Sequence, residues 1–252
     1  MAHDIHTVSK RNPELIPGDI SGGILFLCDH ASNYIPEDLE SLGLPVRELE
    51  RHIAYDIGAA DVTRKLADIY KAPAVLSTFS RLLIDPNRGR DDPTLVMKVS
   101  DGAIIPGNRT LSDAGIAERI QNFYDPYDQA IAHMISQFTG AGIKPHIISI
   151  HSFTPIWKGF LRPWEIGILW DKDQGMAEPL IASLRKRGLT VGDNEPYSGA
   201  LEGDTLNRHA TVNSLPNILV EVRQDLISTK ETAEKWAYIL SDEMDHSIFA
   251  VM

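Results

Sequence analysis

The chain has 252 residues, 43% hydrophobic and 23% charged, which is the composition of one globular domain near the upper size limit of a single core. Its formal net charge of −11 argues against binding nucleic acid or anionic membranes, because both need a basic surface. The lone cysteine, Cys28, excludes an intrachain disulfide framework and a cysteine-rich zinc site. No apolar leader is visible and no run approaches the roughly 18 apolar residues of a membrane span. We therefore expect a cytoplasmic protein.

Apolar runs and amphipathic stretches alternate along the chain in the order expected of an α/β domain. Residues 1–20 are polar, carry two prolines and are predicted to form an irregular arm. Strands are predicted at 24–27, 74–79, 146–150, 165–170, 189–191 and 216–220. Helices are predicted at 36–40, 56–70, 112–140 with a break at 125–126, 176–187, 206–210 and 229–249. The sequence thus predicts a single α/β domain over residues 1–252, with a mixed, mostly parallel sheet flanked by helices.

Two histidines directly follow buried strands, His30 after the first and His151 after the third. Because α/β proteins bind ligands outside the carboxyl ends of their strands, we expect these imidazoles to meet in space. Glu221 follows the last predicted strand, and two imidazoles with a carboxylate are typical of a hydrolytic zinc site that keeps one position open for water. The alternatives are structural histidines and a structural ion pair between Glu221 and Arg223 or another nearby arginine.

A long irregular stretch follows the second strand and begins SRLLIDPNRGR at residues 80–90. Long loops inside compact domains are usually functional. This stretch contains three arginines within ten residues, although the chain as a whole is acidic. Such a cluster favours an anion-binding site over a solvated surface. His209 follows a glycine-rich loop and neighbours Arg208, so it is a further candidate for substrate binding.

Seven motifs, in this order, resemble those of the N-formylglutamate amidohydrolase family: CDHASNYIP, HIAYDIGA, SRLLIDPNR, HSF, RPWEIGILW, NEPYSG and VEVRQDLI. They span roughly residues 24–230. That family is similar in turn to zinc carboxypeptidases and aspartoacylase-type deacylases. The resemblance implies a zinc-carboxypeptidase-like (phosphorylase/hydrolase-like) fold and a metal-dependent amidohydrolase. It also implies zinc, or another divalent metal, as the cofactor and a small acidic N-acyl amino acid such as N-formylglutamate as the substrate.

The resemblance also implies site residues. The related deacylases have H-x-x-E, then Arg and Asn-Arg, then a second histidine and a catalytic glutamate. On these positions fall His30 and Asn33, then Arg81 with Asn87 and Arg88, then His151, then Glu221. The implied roles are metal ligation by the two histidines, proton transfer by the glutamate, oxyanion stabilisation by Arg81 and a carboxylate clamp formed by Asn87 with Arg88.

Asn33 departs from the H-x-x-E pattern, because a neutral amide is a poorer zinc ligand than a carboxylate. Either Asn33 ligates weakly or orients substrate while another acid completes the ligand set, or the site holds no tightly bound metal. Asp56, in the HIAYDIGA motif, is nominated as the third metal ligand. The alternative is that Asp56 only caps the helix that follows it.

Two other functions compete with the amidohydrolase. The first is a non-catalytic module that binds a small carboxylate on the same fold, and metal content would separate the two. The second is a serine hydrolase using Ser32 or Ser152, which is disfavoured because the sequence has no G-x-S-x-G nucleophile elbow.

Overall fold

A computed structural model describes residues 10–249. The strands, in chain order, are β1 (Glu14–Ile16), β2 (Ile24–Cys28), β3 (Ala74–Leu76), β4 (Val99–Ser100), β5 (Ala103–Ile104), β6 (His146–Phe153), β7 (Ile156–Trp157), β8 (Phe160–Leu161), β9 (Ile166–Leu169), β10 (Val191–Asp193) and β11 (Asn217–Arg223). The helices are α1 (Val46–Leu49), α2 (Ala59–Tyr70), α3 (Pro106–Arg109), α4 (Asp113–Arg119), α5 (Asp125–Gly140), α6 (Gln174–Lys186), α7 (Thr205–His209) and α8 (Lys230–Ser247).

Seven strands form the central sheet in the order β1-β3-β2-β6-β11-β9-β10. The four strands β3, β2, β6 and β11 run parallel to one another. At one edge β1 is antiparallel to β3, and at the other β9 is antiparallel to β11 while β10 is parallel to β9. Two hairpins, β4–β5 and β7–β8, stand outside this sheet. The predicted mixed, mostly parallel sheet is confirmed.

Helices cover both faces of the sheet and divide the core in two. The helices α2, α6 and α8 pack on one face through apolar residues that include Leu66, Leu180 and Trp236. On the other face, α5 and α7 pack together with the long loop after β3. None of the helices within residues 10–249 is long and apolar enough to cross a membrane.

Two local predictions need correction. Residues Glu14–Ile16 of the predicted irregular arm form β1 at the edge of the sheet. The flanking Pro13 and Pro17 are tolerated there, because an edge strand pairs with a neighbour on one side only. The predicted break at 125–126 is instead a π-helical turn over Ile120–Tyr124 that leads into α5. Residues 1–9 of the predicted arm lie outside the described residues.

The strands β6 and β11 are both longer than predicted, and this brings two candidate residues into the sheet itself. Their ladder pairs Asn217–Arg223 with residues 147–153, so Glu221 lies opposite His151 rather than after the end of its strand. Alternate residues of a strand point to opposite faces. His151 and Glu221 therefore share the face of Ile147 and Leu219, at the carboxyl end of the parallel strands.

Candidate active site

The two predicted histidines lie side by side at the carboxyl ends of β2 and β6. Their rings are 5.0 Å apart between centroids and nearly perpendicular, and both side chains are buried. Asp56 Oδ2 contacts both, at 3.3 Å from His30 Nδ1 and 2.8 Å from His151 Nδ1. These three side chains could hold a metal ion, because one ligand atom of each lies within 4.8 Å of the others.

The turn between Asp56 and α2 decides where this carboxylate points. Gly58 is the N-cap of α2, has φ of +80° and makes no side-chain cap. A Cβ at Gly58 would lie 2.0 Å from the carbonyl oxygen of Ile227, so only glycine fits this turn. The Asp56 side chain accepts instead from the backbone N–H of Ser152 at 3.3 Å and faces the histidines. The capping alternative for Asp56 is therefore wrong.

Each histidine is oriented by a second buried carboxylate on its other ring nitrogen. His30 Nε2 lies 2.8 Å from Asp85 Oδ1, and His151 Nε2 lies 3.0 Å from Asp29 Oδ2. Carboxylates in this position fix the tautomer and ring orientation of metal-binding histidines and raise their basicity. The donor set and its supporting residues thus fit a mononuclear site with two imidazoles and one carboxylate.

Arg81 links these groups. Its Nη2 donates to Asp85 Oδ2 at 2.8 Å, and its Nη1 lies 3.2 Å from His30 Nδ1. A guanidinium can only donate, so Arg81 and Asp56 make opposite demands on His30 Nδ1: the contact with Arg81 needs the lone pair of Nδ1, whereas the contact with Asp56 Oδ2 needs a proton there. A metal ion bound by Nδ1 and Asp56 Oδ2 would remove this conflict.

The ionisation of the cluster favours a cation as well. Burial opposes ionisation of all three carboxyls, but the facing cations outweigh it. His151 holds the pKa of Asp29 below its usual value, His30 does the same for Asp56, and Arg81 lowers that of Asp85 strongly. Burial also acts to lower the pKa of His151, yet its bonds to Asp29 and Asp56 hold it well above the usual value. The three carboxyls thus stay ionised around the two imidazoles, and negative charge of this kind also stabilises a divalent metal ion.

Glu221 faces a cavity of about 420 Å³ that the two histidines and Arg81 also line. Its side chain is buried and its Oε2 has no hydrogen-bond partner among residues 10–249. Burial raises the pKa of Glu221 to about 7, with His151 opposing this effect and Asp56 adding to it. The alternative of an ion pair with Arg223 is not met, because Arg223 pairs with Asp225 at 2.8 Å.

Asn87 and Arg88 line the same cavity, as the anion-binding prediction requires. Asn87 Oδ1 accepts from the first backbone N–H of α7, that of Thr205, at 2.9 Å. Arg88 Nη1 donates to the Asn87 carbonyl at 2.7 Å, and its Nε donates to Thr94 Oγ1 at 3.2 Å. These bonds anchor the pair to the loop while both side chains face the cavity.

Asn33 and His209, which the sequence nominated for substrate binding, do not line the cavity. The Asn33 amide donates to the carbonyl of Leu49 at 2.9 Å, which uses the side chain to hold a loop. His209 Nε2 lies 2.7 Å from Asp128 Oδ1, in a cluster that also contains Arg208. Both side chains are thus engaged by protein groups outside the cavity.

Sequence reasoning assigned no role to several residues of the site. Asp29 and Asp85 both lie inside recognised motifs. The available signal for Asp29 was its position next to His30 in the chain, and the signal for Asp85 was its position in the arginine-rich loop. Three other residues line the cavity from more distant segments: Trp157, Tyr197 and Asp204. Burial raises the pKa of Asp204 to about 6. Tyr197 lies in the NEPYSG motif, whereas no recognised motif contains Trp157 or Asp204.

The sequence model of the N-formylglutamate amidohydrolase family matches residues 22–228. The chain belongs to this family. It is therefore a hydrolase that acts on amide bonds, and the resemblance seen in its motifs is confirmed. No curated protein matches the sequence.

Solved structures share the fold over nearly the whole chain. A gene product of Agrobacterium tumefaciens is 33% identical, with a TM-score of 0.89 over 96% of both chains. The N-formylglutamate amidohydrolase of Ralstonia eutropha JMP134 is 18% identical, with a TM-score of 0.73 over 95% of this chain and 99% of that one. A bacteriophage poly-γ-glutamate hydrolase is 11% identical, with a TM-score of 0.50 over 98% and 94%. The predicted fold class is confirmed.

Proposed function

We propose that this chain is a metal-dependent amidohydrolase that removes the acyl group from a small acidic N-acyl amino acid, with N-formylglutamate as the first candidate. The observation that carries the proposal is the convergence of His30 Nδ1, His151 Nδ1 and Asp56 Oδ2 beside the unpaired carboxylate of Glu221. We propose zinc as the metal, because two imidazoles and a carboxylate are a usual hydrolytic set for it. Another divalent metal is the alternative.

His30, Asp56 and His151 would hold a divalent metal, which would supply a water of lowered pKa as the nucleophile near neutral pH. Glu221 supplies the proton transfers. Its Oε2 takes the proton of the attacking water and then delivers it to the leaving nitrogen, as a general base followed by a general acid. Burial raises the pKa of Glu221, which favours the return of that proton near neutral pH.

Arg81 is assigned to the oxygen of the scissile carbonyl. Its guanidinium is held by Asp85 and already lies 3.2 Å from His30 Nδ1, so it needs little reorganisation to stabilise the negative charge of the tetrahedral intermediate. Asn87 and Arg88 are assigned to a substrate carboxylate, for which a guanidinium offers a bidentate fork.

The test is metal analysis combined with a hydrolysis screen. The purified protein is analysed for metals, stripped with a chelator and reloaded with zinc, cobalt, manganese or magnesium. It is then assayed on N-formyl and N-acetyl derivatives of glutamate, aspartate, glutamine and leucine. We expect about one metal per chain, activity that returns with metal, and the highest kcat/KM on the acidic substrates.

Asp56→Asn provides the variant and Asp19→Asn the control. Asp56→Asn should lose metal and activity together. Asp19 is exposed and caps the short turn at Ile20–Gly22 by accepting from the backbone N–H of Ser21 at 2.8 Å, and asparagine caps equally well, so Asp19→Asn should behave like the parent. A chain that binds small carboxylates but takes up no metal and hydrolyses nothing would instead be the non-catalytic binding module.

A further inference from the structure

Arg208 does not line the cavity, and each of its five N–H groups donates to an acceptor of the protein. Its Nε and Nη2 both donate to Asp128 Oδ1, at 3.3 and 3.1 Å. The second Nη2 donor binds the carbonyl of Pro86 at 3.1 Å, and the two Nη1 donors bind the carbonyls of Arg88 at 3.2 Å and of Gly203 at 2.5 Å. A guanidinium has only these five donors, so Arg208 holds protein groups and has no donor left for a ligand.

The three carbonyls belong to two loops that both line the cavity. The loop after β3 contributes Asn87 and Arg88, and the loop that leads into α7 supplies several more lining residues. The two loops touch at Gly203, which has φ of +81°, and a Cβ there would lie 3.2 Å from the Cα of Gly89. Arg208, which belongs to α7, therefore joins one part of the cavity wall to the other.

The backbone from Pro86 to Arg88 is held at each of its carbonyls. Arg208 binds the first and the last of the three, and the hydroxyl of Tyr124 also donates to the last at 2.9 Å. The middle carbonyl, that of Asn87, accepts from Arg88 Nη1 at 2.7 Å. Because the backbone is fixed at three successive carbonyls, the side chains of Asn87 and Arg88 face the cavity before any ligand binds.

Asp128 and His209 hold Arg208 in turn. Asp128 Oδ1 accepts two of the Arg208 donors and lies 2.7 Å from His209 Nε2. Burial acts to raise the pKa of Asp128, but His209 and Arg208 hold it below its usual value, so the carboxyl stays ionised. The pair Arg208 and His209, which the sequence marked after its glycine-rich loop, thus supports the cavity wall from behind.

Arg119 offers a matched comparison, because it is a buried arginine that also binds a carbonyl of the loop after β3. Its Nη1 donates to the carbonyl of Leu83 at 2.8 Å and to Asn108 Oδ1 at 2.7 Å. Leu83 lies in the apolar core and does not line the cavity. Arg119 therefore stabilises the core part of this loop, whereas Arg208 holds the part that faces the cavity.

We propose that Arg208 is a positioning residue for substrate binding, which keeps Asn87 and Arg88 in the geometry that receives the substrate carboxylate. The inference rests on the proposed function, in which these two side chains bind that carboxylate. Arg208 acts through the loop alone, because it does not line the cavity. Its loss should therefore weaken substrate binding rather than proton transfer.

Steady-state kinetics of the metal-loaded protein on N-formylglutamate compares Arg208→Met, Arg208→Lys and the control Arg119→Met. We expect Arg208→Met to raise KM by about 10- to 100-fold with little change in kcat, because a misplacement of about 1 Å has effects of this size. Arg208→Lys places its donors on one nitrogen and cannot reach both loops, so it should restore only part of the affinity. Arg119→Met should lower the Tm and leave KM unchanged. A parent-like KM for Arg208→Met, or a loss in kcat alone, would overturn the inference.

A double-mutant cycle tests whether Arg208 acts through Arg88. The loss of kcat/KM in Arg208→Met combined with Arg88→Met should be smaller than the product of the two single losses, because little remains to be positioned once the Arg88 side chain is gone. Arg119→Met combined with Arg88→Met should give the product. The product for the Arg208 pair as well would mean that Arg208 only stabilises the fold. If Arg208→Met does not fold, Tyr124→Phe removes one bond to the Arg88 carbonyl and should show the same non-additivity.

Hydrogen–deuterium exchange separates this inference from the proposed function, because it needs neither metal nor substrate. The backbone N–H of Asn87 donates to Asp85 Oδ1 at 2.9 Å, and we expect peptides over residues 84–92 to exchange faster in Arg208→Met than in the parent and in Arg119→Met. Faster exchange in a protein that hydrolyses no N-acyl amino acid would refute the proposed function while the hold of Arg208 on the loop stands. Unchanged exchange in an active hydrolase would refute the positioning role alone.

Discussion

Replacing Glu221 with glutamine separates catalysis from stability, because the two side chains have nearly the same shape. Glu221 is 6% exposed, lies opposite His151 in the β6–β11 ladder and has no hydrogen-bond partner at Oε2. If its carboxylate moves the proton, Glu221→Gln should lower kcat by about 10²- to 10⁴-fold, the usual contribution of a positioned acid–base group.

The stability of the same variant should move the other way. Burial raises the pKa of Glu221 from 4.5 to about 7, so the folded chain binds more protons than the unfolded chain between these pH values. The free energy of unfolding of the parent therefore falls as pH rises from about 4.5 to 7, and is flat above. At 1.36 kcal/mol per pH unit this amounts to about 3 kcal/mol. Glutamine does not titrate, so metal-stripped Glu221→Gln should be more stable than the parent at pH 8 by up to about 3 kcal/mol.

The assay is urea unfolding of the metal-stripped proteins at pH 5 and pH 8, with kcat measured separately on the metal-loaded proteins. Glu243→Gln is the matched control, because Glu243 is 8% exposed but bonds to Arg187 at 2.7 Å and to Ser183. The control should lose stability and keep its kcat. Near-normal turnover per folded Glu221→Gln molecule, or a loss of stability at pH 8, would refute the assignment of Glu221 as an unpaired catalytic base.

Three further outcomes follow from the site and the core. Arg88→Ala should mainly raise KM for acidic substrates, whereas Arg81→Ala should lower kcat by about 10²- to 10³-fold; steady-state kinetics equal to the parent would make both arginines surface charges. Asp85→Asn should weaken metal binding by about 10- to 100-fold, because it loses the carboxylate on His30 Nε2; unchanged affinity in a chelator competition would contradict that role. Leu66→Ala in α2 should lower the free energy of unfolding by about 2–5 kcal/mol without changing kcat, since Leu66 is fully buried. A smaller loss of unfolding free energy, measured by chemical denaturation, would mean that neighbouring core side chains fill the cavity left by the substitution.

The sequence by itself determined the elements and the principal polar groups at the sheet edge. Runs of apolar residues locate β2, β6 and β11, because strands buried on both faces are rich in apolar residues, although β6 and β11 extend beyond their predicted ends. The apolar runs are followed or interrupted by His30, His151 and Glu221. A polar side chain at such a buried position needs a hydrogen-bond partner or has a functional role. The arginine loop was visible for a similar reason, since clustered positive charge is unusual in an acidic chain.

Only the tertiary structure decided which of these groups meet. His151 finds Asp29 122 residues away, and Asp29 in turn accepts from Thr205 176 residues away, separations that no local periodicity encodes. The turn at Gly58 aims Asp56 at the histidines rather than at its own helix, while Asn33, which the motif places at a ligand position, turns to the backbone of Leu49. The order in which the strands pair sets these contacts, because it alone fixes which strand ends lie next to one another.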